Sequence, residues 1–267
     1  MNNKLTVNNL TTNALKTWCP GCPNFVIDSA MKNAIIDLIN ENFQKKENFV
    51  LVSGIGCHAK IADYANFNTF YSLHGRAVPA ATGIKMGNPN LTVITHVGDG
   101  DVYSEGLEHL IFAAKRNSGI KVFVHDNRVF ALTTGQFTPT SPNNFPGRST
   151  PAGSVEEPFN PLELMLASGA TFVARAYAGG KQDQLKNIMK AAIEHKGFAF
   201  VEIMKPCLAY FKDYNWYNER VYKLSNHDPK NYDQALKMAR EWDYKNDGKI
   251  SLGIFYQIEK PSYEEKI

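Results

Sequence analysis

The sequence predicts an α/β fold: a mostly parallel sheet with helices on both faces. Three observations carry this. Short apolar runs of strand length, rich in β-branched residues, fall at 49–53, 91–97, 120–125, 172–177 and 198–204. Segments with a helical apolar period separate them. The runs ending at Ser53, Val97 and His125 each stop in a glycine or polar cluster, which is the chemistry found where a parallel sheet presents ligands at the carboxyl ends of its strands.

Taken in order, residues 1 to about 16 are polar and Asn/Thr-rich and read as a loose arm lying on the rest. Trp18-Cys19-Pro20-Gly21-Cys22 is a tight turn carrying two thiols. A helix is expected over 25–42, with Val26, Ala30, Ile35, Leu38 and Ile39 as its apolar stripe. A charged loop at 44–48 leads to the strand 49–53, which ends in Gly54-Ile55-Gly56-Cys57-His58. Residues 61–70 read as helix then turn, 71–76 as a loop, 77–86 as a helix of small residues and 87–90 as a turn. After the strand 91–97, Gly98-Asp99-Gly100-Asp101 break the pattern. Leu107, Leu110, Ile111 and Ala114 then share one face of a helix over 107–116. The strand 120–125 ends on Asp126-Asn127.

The stretch 133–151 holds Pro139, Pro142, Pro146 and Pro151 and cannot form a regular element. A loop of that length in a compact domain serves as a lid or a partner contact. Pro161 stands in the first turn of a helix over 160–168. The strand 172–177 follows. Leu185, Ile188, Met189, Ala192 and Ile193 form the inward face of a helix over 182–195, and the strand 198–204 stops at Lys205-Pro206-Cys207. Beyond 208 lies an aromatic and charged tail with one helix (233–242) and one short strand (250–255), expected to pack on the domain or on a neighbouring subunit. The whole of 1–267 reads as one domain.

Composition is that of an ordinary globular protein, with 43% hydrophobic and 21% charged residues. A net charge of +3 without a Lys/Arg run argues against nucleic acid as a partner. No apolar run approaches membrane-spanning length and the first residues carry no hydrophobic signal core, so a cytoplasmic location is expected. In a chain of this kind the four cysteines, Cys19, Cys22, Cys57 and Cys207, point to metal or redox use rather than disulfides.

The chemistry concentrates at 97–132. Glycines flanking Asp99 allow a phosphate to approach the backbone and helix N–H groups. A carboxylate from Asp99 and an amide oxygen from Asn127 suit an octahedral Mg²⁺ that also takes diphosphate oxygens and water. The plain alternative, a Gly-Asp-Gly turn linking strand to helix, does not account for Asn127 at the end of the next strand. A nucleotide-binding module of Rossmann type fits poorly: no GxGxxG follows the first strand, and Asp99 would repel a pyrophosphate without a metal. Four thiolates accommodate either a [4Fe–4S] cluster or a structural zinc, and ligand type alone does not choose between them.

GDG followed one crossover later by Asn resembles the motif of thiamine diphosphate enzymes. The wider set resembles the β subunits of 2-oxoacid:ferredoxin oxidoreductases: WCPGC at 18–22, SGIGC at 53–57, LHGRAVPAATGIK at 73–85, GDGD at 98–101, LTTGQFTPT at 132–140, KPC at 205–207 and GIFYQ at 253–257. The match runs in order through nearly the whole chain. It implies a thiamine diphosphate-binding fold, with Mg²⁺ held by Asp99, Asn127 and the carbonyl of Val129. It implies one [4Fe–4S] cluster on Cys19, Cys22, Cys57 and Cys207. It implies oxidative decarboxylation of a 2-oxoacid such as 2-oxoglutarate or pyruvate, giving acyl-coenzyme A and CO₂, with electrons leaving through the cluster to ferredoxin. A glutamate that activates the coenzyme belongs to another domain in such enzymes, so an α subunit is expected as partner. The rival within the same chemistry is a non-oxidative decarboxylase or synthase subunit with structural zinc.

The resemblance also assigns roles around the coenzyme. Ile55, Gly56, Cys57 and His58 are expected along it, with Ile55 propping the thiazolium ring. His58 stands where relatives more often have Ser. His74 is expected near the coenzyme with a catalytic role, and Arg76 to pair with a carboxylate or phosphate. Gly100 and Asp101 should bind the diphosphate region through backbone and side chain. Ala131, where most relatives have Gly, and Leu132 should approach the coenzyme. Thr134 is expected to influence which 2-oxoacid is taken, and Lys60 to stand as a cation near the cluster or coenzyme A. Pro23 replaces a glycine usual after CPGC and stiffens the turn.

Overall fold

The computed structural model describes residues 5–267. Along the chain the strands are β1 (Phe49–Ser53), β2 (Asn68–Tyr71), β3 (Thr92–Gly98), β4 (Ile120–Asp126), β5 (Phe172–Tyr177), β6 (Ala199–Met204), β7 (Val221–Lys223) and β8 (Ile250–Gln257). They join in one sheet in the order β2-β1-β3-β4-β6-β5-β8-β7. The first six in that order run parallel, β8 pairs antiparallel with β5, and β7 runs parallel to β8.

Every residue of β1, β3, β4, β5 and β6 is buried, because helices cover both faces. Successive side chains alternate between the two layers. Leu51, Ile94 and Phe123 meet α1 (Asn24–Asn40) and α5 (Gln182–Glu194) in one core. Val50, Val52, Val93, Val122 and Val124 face the other, which holds residues of α2 (Ala77–Gly87), α3 (Leu107–Arg116), α4 (Pro161–Ala167) and α7 (Tyr232–Glu241). Local sequence sets the helix ends. Asn160 caps α4 by accepting from the N–H groups of Leu162 and Glu163, with Pro161 next to it. The same side chain donates to the Ala239 carbonyl at 2.8 Å and so ties α4 to α7. Asn117 ends α3 in the left-handed conformation.

Two expectations need correction. Residues 61–70 form no α-helix: a 3₁₀ helix spans His58–Tyr64, and the edge strand β2 follows. All four β2 residues are exposed, so no alternation marked them as a strand. The amino-terminal arm is not loose in residues 5–12. Leu10 is fully buried, Thr11 bridges to Ala65, and the Thr12 N–H donates to the Tyr64 carbonyl at 3.2 Å. The first four residues of that expected arm lie outside the described residues.

The final residues build more of the sheet than one short strand. α6 (Tyr214–Arg220) leads into β7, and α7 into β8. Trp242, fully buried, stacks on Tyr244 with ring centroids 4.0 Å apart, in a core shared with Tyr177, Met204 and Tyr217. As expected, 133–151 contains no regular helix or strand.

Candidate functional site

Because β1, β3, β4 and β6 are parallel neighbours, their carboxyl ends lie along one rim. A pocket opens there. From the β1 end it takes Ile55, Gly56, Cys57 and His58; from the β3 end, Gly98, Asp99, Gly100 and Asp101; from the β4 end, His125, Asn127 and Val129. Phe130, Ala131, Leu132 and Thr133 close one side, Lys205 after β6 another, and His74 reaches in from the loop before α2.

Asp99 is 1% exposed. Its carboxyl lies 3.5 Å from the Asn127 N–H and accepts from the Thr140 hydroxyl at 3.2 Å. Burial, and then the neighbouring Asp126 carboxyl, push Asp99 up to about 8. A divalent cation on this oxygen would relieve that penalty. Asn127 and Val129 line the same pocket and supply amide and carbonyl oxygen, a hard donor set that fits Mg²⁺.

The Asp101 carboxyl is committed to its surroundings. It accepts from the Gly75 N–H at 2.7 Å. Nδ1 of His74 stands 3.0 Å from one oxygen and Nε2 of His58 3.3 Å from the other. Burial pushes Asp101 up, yet the two imidazoles and the Gly75 N–H outweigh it and hold the group far below the ordinary carboxylate range. Reciprocally, the Asp101 contact raises His74 despite its partial burial. Asp101 therefore orients two histidines at the pocket.

A second chain of contacts lies beneath. His96 Nδ1 is 2.8 Å from His125 Nε2, and His125 Nδ1 is 3.0 Å from the Asn24 side-chain oxygen. Burial lowers both imidazoles, His96 to about 3, so both are neutral. Each neutral imidazole carries one ring N–H, so a single proton lies between His96 and His125, and His96 Nε2 faces the Met31 sulfur at 3.1 Å. Asn24 follows the WCPGCP turn, so this chain links the first two cysteines to the end of β4.

All four cysteines are free; Cys19 is exposed and the others half-buried. The Trp18 indole N–H donates to the Cys57 carbonyl at 2.6 Å. A Cβ on Gly21 would lie 3.6 Å from Leu208, so the same turn also sits against the loop bearing Cys207. Burial raises the Cys57 thiol, the Lys205 and Lys60 charges lower it, and Cys22 and Cys207 approach closely enough to raise it further. Among the described residues no three His, Cys, Asp or Glu side chains stand within metal-binding distance of one another. The donor chemistry fits a thiophilic group: four free thiols, carried on segments that pack together, with Cys57 also lining the pocket.

The family model for the C-terminal thiamine pyrophosphate-binding domain of thiamine pyrophosphate enzymes matches residues 54–203. That for the C-terminal part of the pyruvate ferredoxin oxidoreductase β subunit matches residues 209–267. The 2-oxoacid:ferredoxin oxidoreductase subunit β of a Sulfolobus species is 40% identical over 94% of this chain and 85% of the relative. The chain belongs to the 2-oxoacid:ferredoxin oxidoreductase β subunits. Subunit β of 2-oxoacid:ferredoxin oxidoreductase 1 from Aeropyrum pernix is 39% identical over 96% of this chain and 82% of that relative. A solved structure of 2-oxoglutarate:ferredoxin oxidoreductase from Magnetococcus marinus, with 2-oxoglutarate, coenzyme A and succinyl-CoA bound, matches with a TM-score of 0.92. It is 33% identical, and the match covers all of this chain and 89% of that one.

For this β subunit, the pocket gathers Ile55, Gly56, Cys57, His58, His74, Asp99, Gly100, Asp101, Asn127, Val129, Ala131 and Leu132, the residues expected around coenzyme and metal. Thr134 does not line it but follows Thr133, which does. The Arg76 guanidinium donates to the Glu105 and Gly75 carbonyls at 2.6 and 3.3 Å. Lys60 donates to the Thr17 carbonyl at 3.2 Å and carries its charge toward Cys57. The pocket also takes His125, Phe130, Thr133 and Lys205, to which the sequence assigns no role there. Lys205 had a signal, since it immediately precedes Pro206-Cys207. Phe130 had none, because an aromatic after Val129 reads as core. Among the described residues no helix is long and apolar enough to cross a membrane.

Proposed function

We propose that this β subunit binds thiamine diphosphate through Mg²⁺ on Asp99, Asn127 and the Val129 carbonyl, and a [4Fe–4S] cluster on Cys19, Cys22, Cys57 and Cys207. With an α subunit it oxidises a 2-oxoacid, 2-oxoglutarate or pyruvate, and coenzyme A to acyl-coenzyme A and CO₂, and passes the electrons to ferredoxin. The observation that carries the reading is that Cys57 lines the same pocket as Asp99, Asn127 and Val129. A residue that would hold the cluster thus stands on the same wall as those that would hold the coenzyme's metal.

When bound, thiamine diphosphate supplies the electron sink for decarboxylation. The chain's own residues bind and orient. Asp99 and Asn127 would present oxygen to the metal, while Gly98 and Gly100 admit the His58 imidazole and the Phe130 ring against the backbone, since a Cβ on either would fall within 3 Å of them. Lys205, 3% exposed, lines the pocket and brings positive charge near both Asp99 and Cys57. His74, oriented by Asp101 and part exposed, offers a proton donor at the pocket. Ile55 and Leu132, both exposed, stand at the opening as apolar surface for the α subunit to cover. We place the protein in the cytoplasm, where four free thiols stay reduced.

The test is anaerobic assembly of the β chain with its α subunit. The complex should be brown, with absorbance at roughly 400 nm, contain iron rather than zinc, and reduce ferredoxin when given a 2-oxoacid and coenzyme A. The β chain alone should not turn over. D99N should lose Mg²⁺-dependent coenzyme binding. Zinc in the site, or turnover without the α subunit, would overturn the reading.

A further inference from the structure

The pocket's side wall is a small closed loop. The Phe130 N–H donates to the Gln136 carbonyl at 2.9 Å, the Gly135 N–H to the Phe130 carbonyl at 2.9 Å, and the Thr134 N–H to the Ala131 carbonyl at 3.2 Å. Phe130 through Thr133 line the pocket; Thr134 is the next residue. Its φ is 77°, in the left-handed region. A β-branched residue adopts that conformation only at a cost, and such strain collects at functional positions.

What Thr134 holds in this conformation is Arg148. The Arg148 guanidinium donates to the Thr134 hydroxyl, and the Arg148 N–H donates to the Gly135 carbonyl at 3.1 Å. Main chain and side chain thus clip one arginine onto the pocket loop from the opposite end of the irregular 133–151 segment. Arg148 is exposed, and among the described residues its guanidinium has no carboxylate partner. A guanidinium with only a neutral hydroxyl as partner retains most of its donors for a ligand, in the fork geometry that matches a carboxylate.

We infer that Arg148, held against Thr134 on the loop whose residues 130–133 line the pocket, takes the distal carboxylate of a dicarboxylic 2-oxoacid. This rests on the proposed function and narrows its substrate class. The reacting end of such a substrate must reach the coenzyme beside Asp99 and Ile55, so its far end points toward the rim. A dicarboxylic acid there gains a charge-assisted contact that pyruvate cannot make. Thr134 acts as a positioning residue: it touches the arginine, not the substrate.

The test uses the assembled complex with 2-oxoglutarate and with pyruvate. The ratio of their kcat/KM values should fall about 10- to 100-fold in R148Q, the range expected for a lost charge-assisted hydrogen bond. R148K should recover part of it, and T134V should lower it by a smaller factor. Glutarate should inhibit the wild-type complex more strongly than butyrate, and R148Q should erase that difference. A ratio unchanged in R148Q, equal losses on both acids, or a wild-type complex that prefers pyruvate would overturn the inference while leaving the proposed function standing. A wild-type complex that oxidises no 2-oxoacid would remove both.

Discussion

A side chain on Gly54 cannot coexist with the Asp101 carboxyl: a Cβ built there would fall 1.7 Å from Asp101 Oδ2. Gly54 begins the segment that follows β1, and Asp101 belongs to the short π-helical turn Gly100–Ser104 that follows β3. The segments that follow two neighbouring strands therefore approach as closely as they do because one contributes no side chain there. The carboxyl so placed contacts His58 and His74.

G54A should accordingly displace Asp101 and both imidazoles. The expected cost is about 1–3 kcal/mol of stability, as for other overpacked sites. Calorimetry should also show weaker thiamine diphosphate binding in G54A than in wild type. An unchanged coenzyme affinity would mean that Asp101 does not organise the pocket.

A second carboxyl should be visible in stability against pH. Glu202 lies fully buried on β6, beside Arg175 Nε at 3.3 Å, the Tyr103 hydroxyl at 3.2 Å and the Tyr244 hydroxyl. Burial, then the Asp126 charge, raise it from 4.5 to about 7, with Arg175 opposing. The folded state thus binds this proton more tightly than the unfolded state. Stability from this group is fully present below about 4.5 and is lost as pH rises toward about 7. The expected loss is on the order of 3 kcal/mol, at about 1.4 kcal/mol per unit. Other groups titrate in this range, so the comparison is between wild type and E202Q. The stability difference between them, followed by chemical denaturation, should shift in favour of E202Q between pH 4.5 and 7. A pH-independent difference would show that Glu202 is ionised throughout.

The parallel sheet and its ligand edge are legible because buried strands are apolar throughout, as at 49–52, or largely so, as at 120–125, and end in polar or glycine clusters. Asp99 and Asn127 were legible for the same reason: each stands one or two residues past such a run. β2 was not legible. It is a four-residue exposed edge with no pattern to read. In the tail the strand at 250–255 is legible, but its place is not: β8 joins the sheet beside β5, and Tyr244 reaches Glu202. Nothing local in 208–267 announces a pairing with β5, because register between distant strands is set in three dimensions. Arg148 was invisible for a related reason: its contact with Thr134 crosses an irregular loop that no periodicity describes.

Lys205 is the pocket cation the sequence reading passed over. Its charge opposes the upward shift of both the Cys57 thiol and the Asp99 carboxyl, so it lies near each. K205M keeps the apolar stem and removes the charge. Coenzyme affinity with Mg²⁺ should fall by about 10-fold or more, because a cation beside a diphosphate is lost. The cluster should become harder to reduce, so its midpoint potential in an EPR-monitored titration should move in the negative direction. If neither quantity moves, Lys205 is a structural residue whose charge both groups ignore.

The cysteine segments offer a last prediction, independent of turnover. Trp18 is 6% exposed and packs edge-on against Phe25 and Tyr64, with centroids 5.2 and 4.8 Å away. Its N–H is the link from the first cysteine turn to the Cys57 carbonyl. W18F keeps most of the aromatic contact but leaves that carbonyl without its donor, at a cost of about 1–3 kcal/mol. The two segments should then separate more easily. Iron content per chain should fall, and absorbance at roughly 400 nm should bleach faster in air than in wild type. W18H is the useful control: an imidazole N–H restores a donor with less aromatic surface, so it should recover part of the bleaching resistance if the hydrogen bond matters and none if packing alone does. Equal bleaching of wild type and W18F would show that the Trp18 contact does not hold the cysteine segments together.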